Sequence, residues 1–181
     1  MQKPHNGNPK PALVAPSAAS YGDPVIKTTT MKALTKIFTT DNSFSTLLLR
    51  VALGAVFFPH GAQKVLGWFG GYGFAGTMGF FTNTLHIPAV FAFLAIAAEF
   101  AGALALIAGF FTRVAALGIA GVMTVAITMH WQYGFFMNWY GSQKGEGIEY
   151  HLLALAIAIA LILRGGGKWS ADRVIASKLS Q

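Results

Sequence analysis

The sequence predicts an all-α integral membrane protein, a four-helix bundle with both termini in the cytoplasm. Three observations carry that prediction. The 181 residues are 54% hydrophobic and only 10% charged, with a mean hydropathy of +0.54, which is too apolar for an ordinary soluble domain. Four apolar runs, over residues 47–66, 88–110, 114–133 and 148–163, each approach the roughly 17 to 25 residues that cross a hydrocarbon core of about 30 Å. Lys27, Lys32 and Lys36 precede the first run, Arg113 sits between the second and third, and Arg164, Lys168, Arg173 and Lys178 follow the fourth. Positive charge of that kind stays on the cytoplasmic side, so an even number of spans returns the chain to where it began.

Composition also removes whole classes of function. With no cysteine, the chain has no disulfide, thiolate metal site or cysteine redox chemistry of its own, so any redox work needs a cofactor or a partner. The net charge of +7 lies in tails flanking the apolar runs instead of forming a basic stripe, which argues for topology and against nucleic acid.

Residues 1–40 contain Pro4, Pro9, Pro11, Pro16 and Pro24 among small polar residues and cannot bury a core, so a disordered N-terminal tail is expected before a membrane domain over residues 41–181. Lys3 and Lys10 have no apolar run close behind them, so the first span is expected to insert uncleaved. Met31, with Lys32 and Lys36 after it, offers a second start.

The first span is unusual in carrying Arg50, His60 and Lys64. A charge near a bilayer centre costs about 2.5 to 3.5 kcal/mol even on lenient insertion scales, so such groups face a bundle interior or a watered cavity. At 100° per residue, Arg50, Gly54, Phe57, Gly61 and Lys64 share a face with His60 at its edge. Pro59 deprives the carbonyl of Ala55 of its helical partner beside His60. Between the first two spans, residues 68–81 are rich in aromatics and glycine, and the loop is expected to form either a short interfacial helix near residues 74–85 or a lid that dips into the bundle. In the second span, Glu99 shares a face with Ala92, Ala95, Gly102, Ala103 and Leu106, a stripe that lets membrane helices approach closely. Left alone, a buried carboxylate takes up a proton; beside His60 or Lys64 it stays charged. The third span ends in His130, on a face with Ile119, Met123 and Ala126, and leads into the aromatic loop 131–147. In the fourth, Glu149 is placed inward with Leu152, Leu153, Ala156 and Ala160, and His151 at the interface.

Depth ties these groups together. Measured from the cytoplasmic ends at 1.5 Å per residue, Glu99 lies about 18 Å up, His60 about 20 Å, Glu149 about 22 Å, and Lys64 and His130 about 26 Å. His60, Lys64, Glu99, His130 and Glu149 therefore form a polar layer in the outer half and are the candidate ligand-binding residues. Arg50, about 5 Å up, falls outside the layer and is expected to snorkel to the inner interface.

Several literal motif matches fail. Gly71-Tyr-Gly-Phe-Ala-Gly76 fits G-x-G-x-x-G but follows no predicted strand. GGGKWS from Gly165 is similar to a phosphate loop, yet Trp169 stands where Ser or Thr must hold magnesium, so it reads as a glycine helix stop with Lys168 near the inner lipid surface. Glu-x-x-His, needed for a di-iron bundle, is absent after both Glu99 and Glu149, and no metal is expected. Haem between His60 and His130 ranks below a quinone as a cofactor.

The run R-V-A-L-G from Arg50, F-x-x-H-G-x-x-K from Phe57 and G-W-F-G-G from Gly67 resembles the first-helix signature of the DoxX family of small bacterial membrane proteins. The similarity continues through E-F-x-G-A-L-x-L from Glu99, G-F-F-T-R from Gly109, His130, Gly147-Ile-Glu149 and G-G-G-K-W-S-x-D from Gly165, covering residues 44–173. Ile148 and Gly166 depart from the pattern, where an aromatic and a proline are commoner. The resemblance implies a four-helix bundle in a bacterial inner membrane, associated with membrane oxidoreductase systems such as thiosulfate:quinone oxidoreductase or complexes of thiol and superoxide metabolism. His60, Lys64, Glu99, His130 and Glu149 correspond to its polar positions.

Three functions compete. The favoured one is a redox subunit, quinone- or thiol/sulfur-linked, whose polar layer binds a quinone headgroup. The second is a small-molecule or proton pathway, which the single inner polar group, Arg50, disfavours. The third is a non-catalytic scaffold. Expected partners are the lipid bilayer, other subunits of a membrane redox complex and further copies of the chain.

Overall fold

A computed structural model describes residues 36–179, which are helical with no strand among them. The expected tail lies outside the described residues as far as residue 35, as does the second start at Met31. Its last residues are seated on the protein. Phe38, 8% exposed, packs its ring 4.8 Å from that of Phe111, and the Thr39 carbonyl accepts a hydrogen bond from Arg113 Nη2 at 3.0 Å.

Helix α1 spans Phe44–Leu66 and runs through Pro59. Ser43 starts it by accepting from the Thr46 amide, and Gly67, at φ 72°, stops it. Helix α2, Gly73–Gly79, continues as a wide π turn over Phe80–Thr84, so the short helix expected between the first spans is present. Helix α3 spans Ala89–Ala108, α4 Thr112–His130, α5 Glu149–Arg164 and α6 Ala171–Leu179. Three of these are long and apolar enough to cross a membrane: α1, α3, and α4 with the 3₁₀ turn that prolongs it to Tyr133. At 16 residues, α5 is about 24 Å long and shorter than a typical hydrocarbon core.

Packing follows the small-residue faces. Helix α1 lies against α3, α3 against α4, and α4 against α5, while α5 returns to α1 through a lighter seam. The core is built from Leu53 and Phe57 of α1, Ala103 and Leu106 of α3, Ala116 and Ile119 of α4, and Ala158 and Leu161 of α5. Phe91, Leu94, Leu117, Val125, Leu153 and Leu163 point outward, the side chains a lipid-facing surface needs.

Two expectations about facing are corrected. Helix α5 buries His151, Ala154, Ala158 and Leu161, not the face through Glu149, Leu152 and Ala156. Alanines at 154, 156, 158 and 160 place small residues on both faces, so a search for close-packing positions cannot choose between them. Arg50 does not snorkel; it is 1% exposed and its guanidinium serves four backbone carbonyls. Two of those acceptors, Leu106 and Ile107, are in the last turn of α3, where unsatisfied carbonyls and the negative end of the helix dipole attract a cation. Arg113 does the same for α5, donating to the carbonyls of Ile162 and Leu163.

This Arg50 end is closed by the chain after α5. Gly109, at φ 68°, ends α3, and a Cβ there would stand 2.8 Å from Arg50 Cζ and 2.6 Å from Ser170 Cβ, so glycine supplies both the turn and the room for the guanidinium. Asp172, 1% exposed, accepts from the amides of Phe111 at 2.7 Å and Thr112 at 2.9 Å and so caps the start of α4. Asp172→Ala is expected to cost about 1 to 2 kcal/mol, with Asp172→Asn losing less, in thermal melts of the detergent-solubilised protein. A melt unchanged in Asp172→Ala would show that the cap contributes nothing.

Candidate functional site

The opposite, aromatic-loop end holds the polar groups. Lys64, in the last turn of α1, places Nζ 2.6 Å from Glu99 Oε2 on α3. The Glu99 side chain is 7% exposed and that of Lys64 22%, so a buried carboxylate meets an ammonium that still reaches the surface. A second contact, 3.5 Å from Lys64 Nζ to the His60 carbonyl, uses the backbone just after Pro59.

What brings the pair together is the backbone approach beneath it. A Cβ on Gly61 would lie 2.5 Å from Phe100 Cα and 2.7 Å from the Glu99 carbonyl carbon, so α1 and α3 touch main chain to main chain one turn below Lys64. Gly61→Val is expected to separate the helices and lengthen the Lys64 to Glu99 contact. We expect a cost of about 2 to 3 kcal/mol in thermal melts, the range of overpacking in a tight core. A melt within error of wild type would mean that the helices are not in close contact there.

Beside the pair, the His60 ring is 6.5 Å from that of Tyr150 across the light α1–α5 seam, and 6.3 Å from that of Phe57 on its own helix. Glu99 is near enough for its charge to act on both His60 and Tyr150. The Tyr150 hydroxyl is buried with no hydrogen-bond partner among the described residues, an unusual state for a strong donor. From Tyr150 the rings continue: 5.5 Å to His151, 4.8 Å from His151 to His130, and 6.1 Å from His130 to Tyr133.

Of the five residues expected to form the layer, Lys64, Glu99 and His60 are gathered into one place. His130 joins only through His151 and Tyr150, and its Nδ1 lies 3.0 Å from the Glu146 carbonyl. Glu149 is turned elsewhere. Its Oε1 accepts from the Met137 amide and the Trp139 indole, each at 3.0 Å, so it organises the aromatic loop. The reason is its position in the first turn of α5, where the free amides of a helix start and a folded-back loop both favour a carboxylate.

Sequence reasoning passed over Tyr150 and set His151 at the interface, whereas His151 is 7% exposed. The available signal was the spacing of His151, Ala154, Ala158 and Leu161, a helical stripe that ends in a polar ring.

Chemically, the cluster offers an ammonium, an imidazole and a phenol around a carboxylate. Donors of that kind match a ligand with carbonyl or other acceptor oxygens.

Residues 45–131 match the DoxX family model. The match takes in α1 to α4 and so includes His60, Lys64, Glu99 and His130, while Glu149, Tyr150 and His151 lie beyond it. No curated protein and no solved structure matches the chain.

Proposed function

We propose that this multi-pass membrane protein is a subunit of a quinone- or thiol/sulfur-linked redox system in a bacterial inner membrane, and that the Lys64–Glu99 pair with His60 and Tyr150 holds a quinone headgroup. The single observation carrying this reading is the buried Tyr150 hydroxyl without a partner among the described residues, across a lightly packed seam from a charge pair. Lys64 and Tyr150 donate to the headgroup oxygens, His60 holds or accepts a proton beside them, and Glu99 holds Lys64 in place. The α1–α5 seam lets an isoprenoid ligand enter from the lipid. A bound quinone supplies the electron-accepting chemistry, since no cysteine exists to do so, and the electrons come from a partner subunit.

In this reading α5 crosses with the other three helices to complete a four-helix bundle. Lys36, Arg113, Arg164, Lys168, Arg173 and Lys178 gather at the Arg50 end and place it in the cytoplasm, with both termini. Helix α2 lies in the outer interface, where Tyr72 and Phe74 meet the headgroups.

Titration of the detergent-purified protein with a short-chain benzoquinone, followed by tryptophan quenching, is expected to saturate. Tyr150→Phe and His60→Ala are each expected to weaken binding about fivefold, the value of one hydrogen bond of about 1 kcal/mol. If no saturation occurs, or if both variants bind as wild type, the headgroup site is wrong and a scaffold role takes its place. The run of rings from His60 to Tyr133 favours a second reading, a proton path between the charge pair and the aromatic loop.

A further inference from the structure

The Arg50 end carries a second candidate site, far in character from the first. An open groove of about 450 Å³ is lined by Asn42, Lys168, Trp169, Ser170, Arg173 and Val174. Its side chains are aimed outward by the way the backbone is fastened. The carbonyls of Gly166 and Trp169 are drawn inward to Arg50 Nε and Nη2, and the Lys168 amide donates to the Ser43 carbonyl at 3.1 Å. With the main chain pinned at three points, Trp169 takes a left-handed φ of 54° and its indole stands 73% exposed, with Lys168 Nζ 5.3 Å above it. Arg173 follows on α6, where Asp172 faces inward to cap α4 and Val174 faces outward. Its Nη1 donates to Asn42 Oδ1, which leaves further guanidinium donors for a ligand.

The local carboxylates are committed elsewhere. Asp41 receives the Ser43 amide and the Thr46 hydroxyl and pairs with Arg164 at 3.6 Å, and Asp172 is held by two amides. Among the described residues neither Lys168 nor Arg173 has an ion-pair partner. The groove therefore has two uncompensated cations beside an exposed indole and valine, at the level where α1 begins and α3 ends. That combination, cation and aromatic at the rim of apolar helices, suits a phosphate with an acyl chain attached.

We propose that this groove binds the phosphate headgroup of an anionic phospholipid, with Lys168 and Arg173 on the phosphate and Trp169 beside the glycerol and upper chain. The proposal rests on the reading that this end lies at a membrane surface, and not on the quinone site.

Native mass spectrometry of the delipidated full-length chain, given phosphatidylglycerol or phosphatidylcholine, is the test. Wild type is expected to retain phosphatidylglycerol preferentially. Lys168→Gln with Arg173→Gln is expected to lower that preference roughly tenfold or more, since each basic residue contributes on the order of 1 kcal/mol toward anionic lipid. Lys168→Arg with Arg173→Lys keeps both charges and is expected to keep the preference, which separates loss of charge from loss of fold. An unchanged preference in the double glutamine variant overturns the site. Displacement of the lipid by excess inorganic phosphate also overturns it, in favour of a free-anion site. Because the chain has no cysteine, Leu179→Cys labelled by a membrane-impermeant maleimide reports the side of this end independently. Labelling from the aromatic-loop side would overturn the assigned topology while leaving the lipid measurement in detergent intact.

Discussion

Replacing Arg50 by leucine is expected to lower the stability of the folded chain by about 3 to 5 kcal/mol, the largest effect of any single substitution considered, because it strips a buried group from several partners at once. Arg50 Nε donates to the Gly166 carbonyl at 2.9 Å, Nη1 to Leu106 and Ile107 at 2.8 and 2.6 Å, and Nη2 to Trp169 at 3.4 Å. Leucine fills part of the volume but leaves the end of α3 and the 166–169 turn without donors, and each buried unsatisfied carbonyl costs about 1 to 3 kcal/mol. Arg50→Lys recovers less than half of the loss, since one ammonium cannot reach both the helix end and the turn. Thermal melts in detergent read the effect as a fall of about 6 to 20 °C, at 2 to 4 °C per kcal/mol for a chain of this size. A fall under about 2 °C would show that water or lipid replaces the guanidinium without penalty.

Lys64→Met is expected to cost about 2 to 3 kcal/mol, below Arg50→Leu and level with Gly61→Val, by leaving Glu99 buried without its cation. The cost is below that for Arg50 because the Lys64 side chain is 22% exposed, and solvent already weakens the pair. Removing both partners is the informative step. Lys64→Met combined with Glu99→Leu is expected to return to within about 1 kcal/mol of wild type, since an apolar pair of similar size often replaces a buried ion pair without loss. The cycle should give a coupling of about 1 to 3 kcal/mol. Additive losses would mean that the two side chains act separately. Quinone binding should not return with stability, because leucine and methionine offer no donor.

Much of this was legible in the sequence, and particular residues show why. The face through Arg50, Gly54, Phe57 and Gly61 is buried as its spacing predicts, and so are Ala92, Glu99, Gly102, Ala103 and Leu106. In each helix the glycines and the charged group share one side, Arg50, Gly54 and Gly61 in α1 and Glu99 and Gly102 in α3, which picks out the buried face. Depth placed Lys64 and Glu99 in the same outer half of the bundle, and the ion pair follows from two opposite charges in an apolar setting. Helix α5 was not legible, because alternating alanines make its two faces equivalent, and Glu149 was misplaced with it. Arg50 was misread for a different reason. Its acceptors are backbone carbonyls from two distant segments, and carbonyls carry no residue type by which a sequence can announce them. The same blindness hid the role of Asp172, whose partners are two amides about 60 residues away in the chain.

The most direct test of a ligand-binding role for the Lys64–Glu99 pair is the amount of quinone that copurifies with the protein. Wild type and Glu99→Gln are extracted side by side and the lipids measured by mass spectrometry, after thermal melts confirm that both are folded. Bound quinone in wild type, lost in a folded Glu99→Gln, is the predicted result. No quinone in wild type, or an equal amount in both, would contradict it and leave the pair as a contact that fixes the register of α1 on α3.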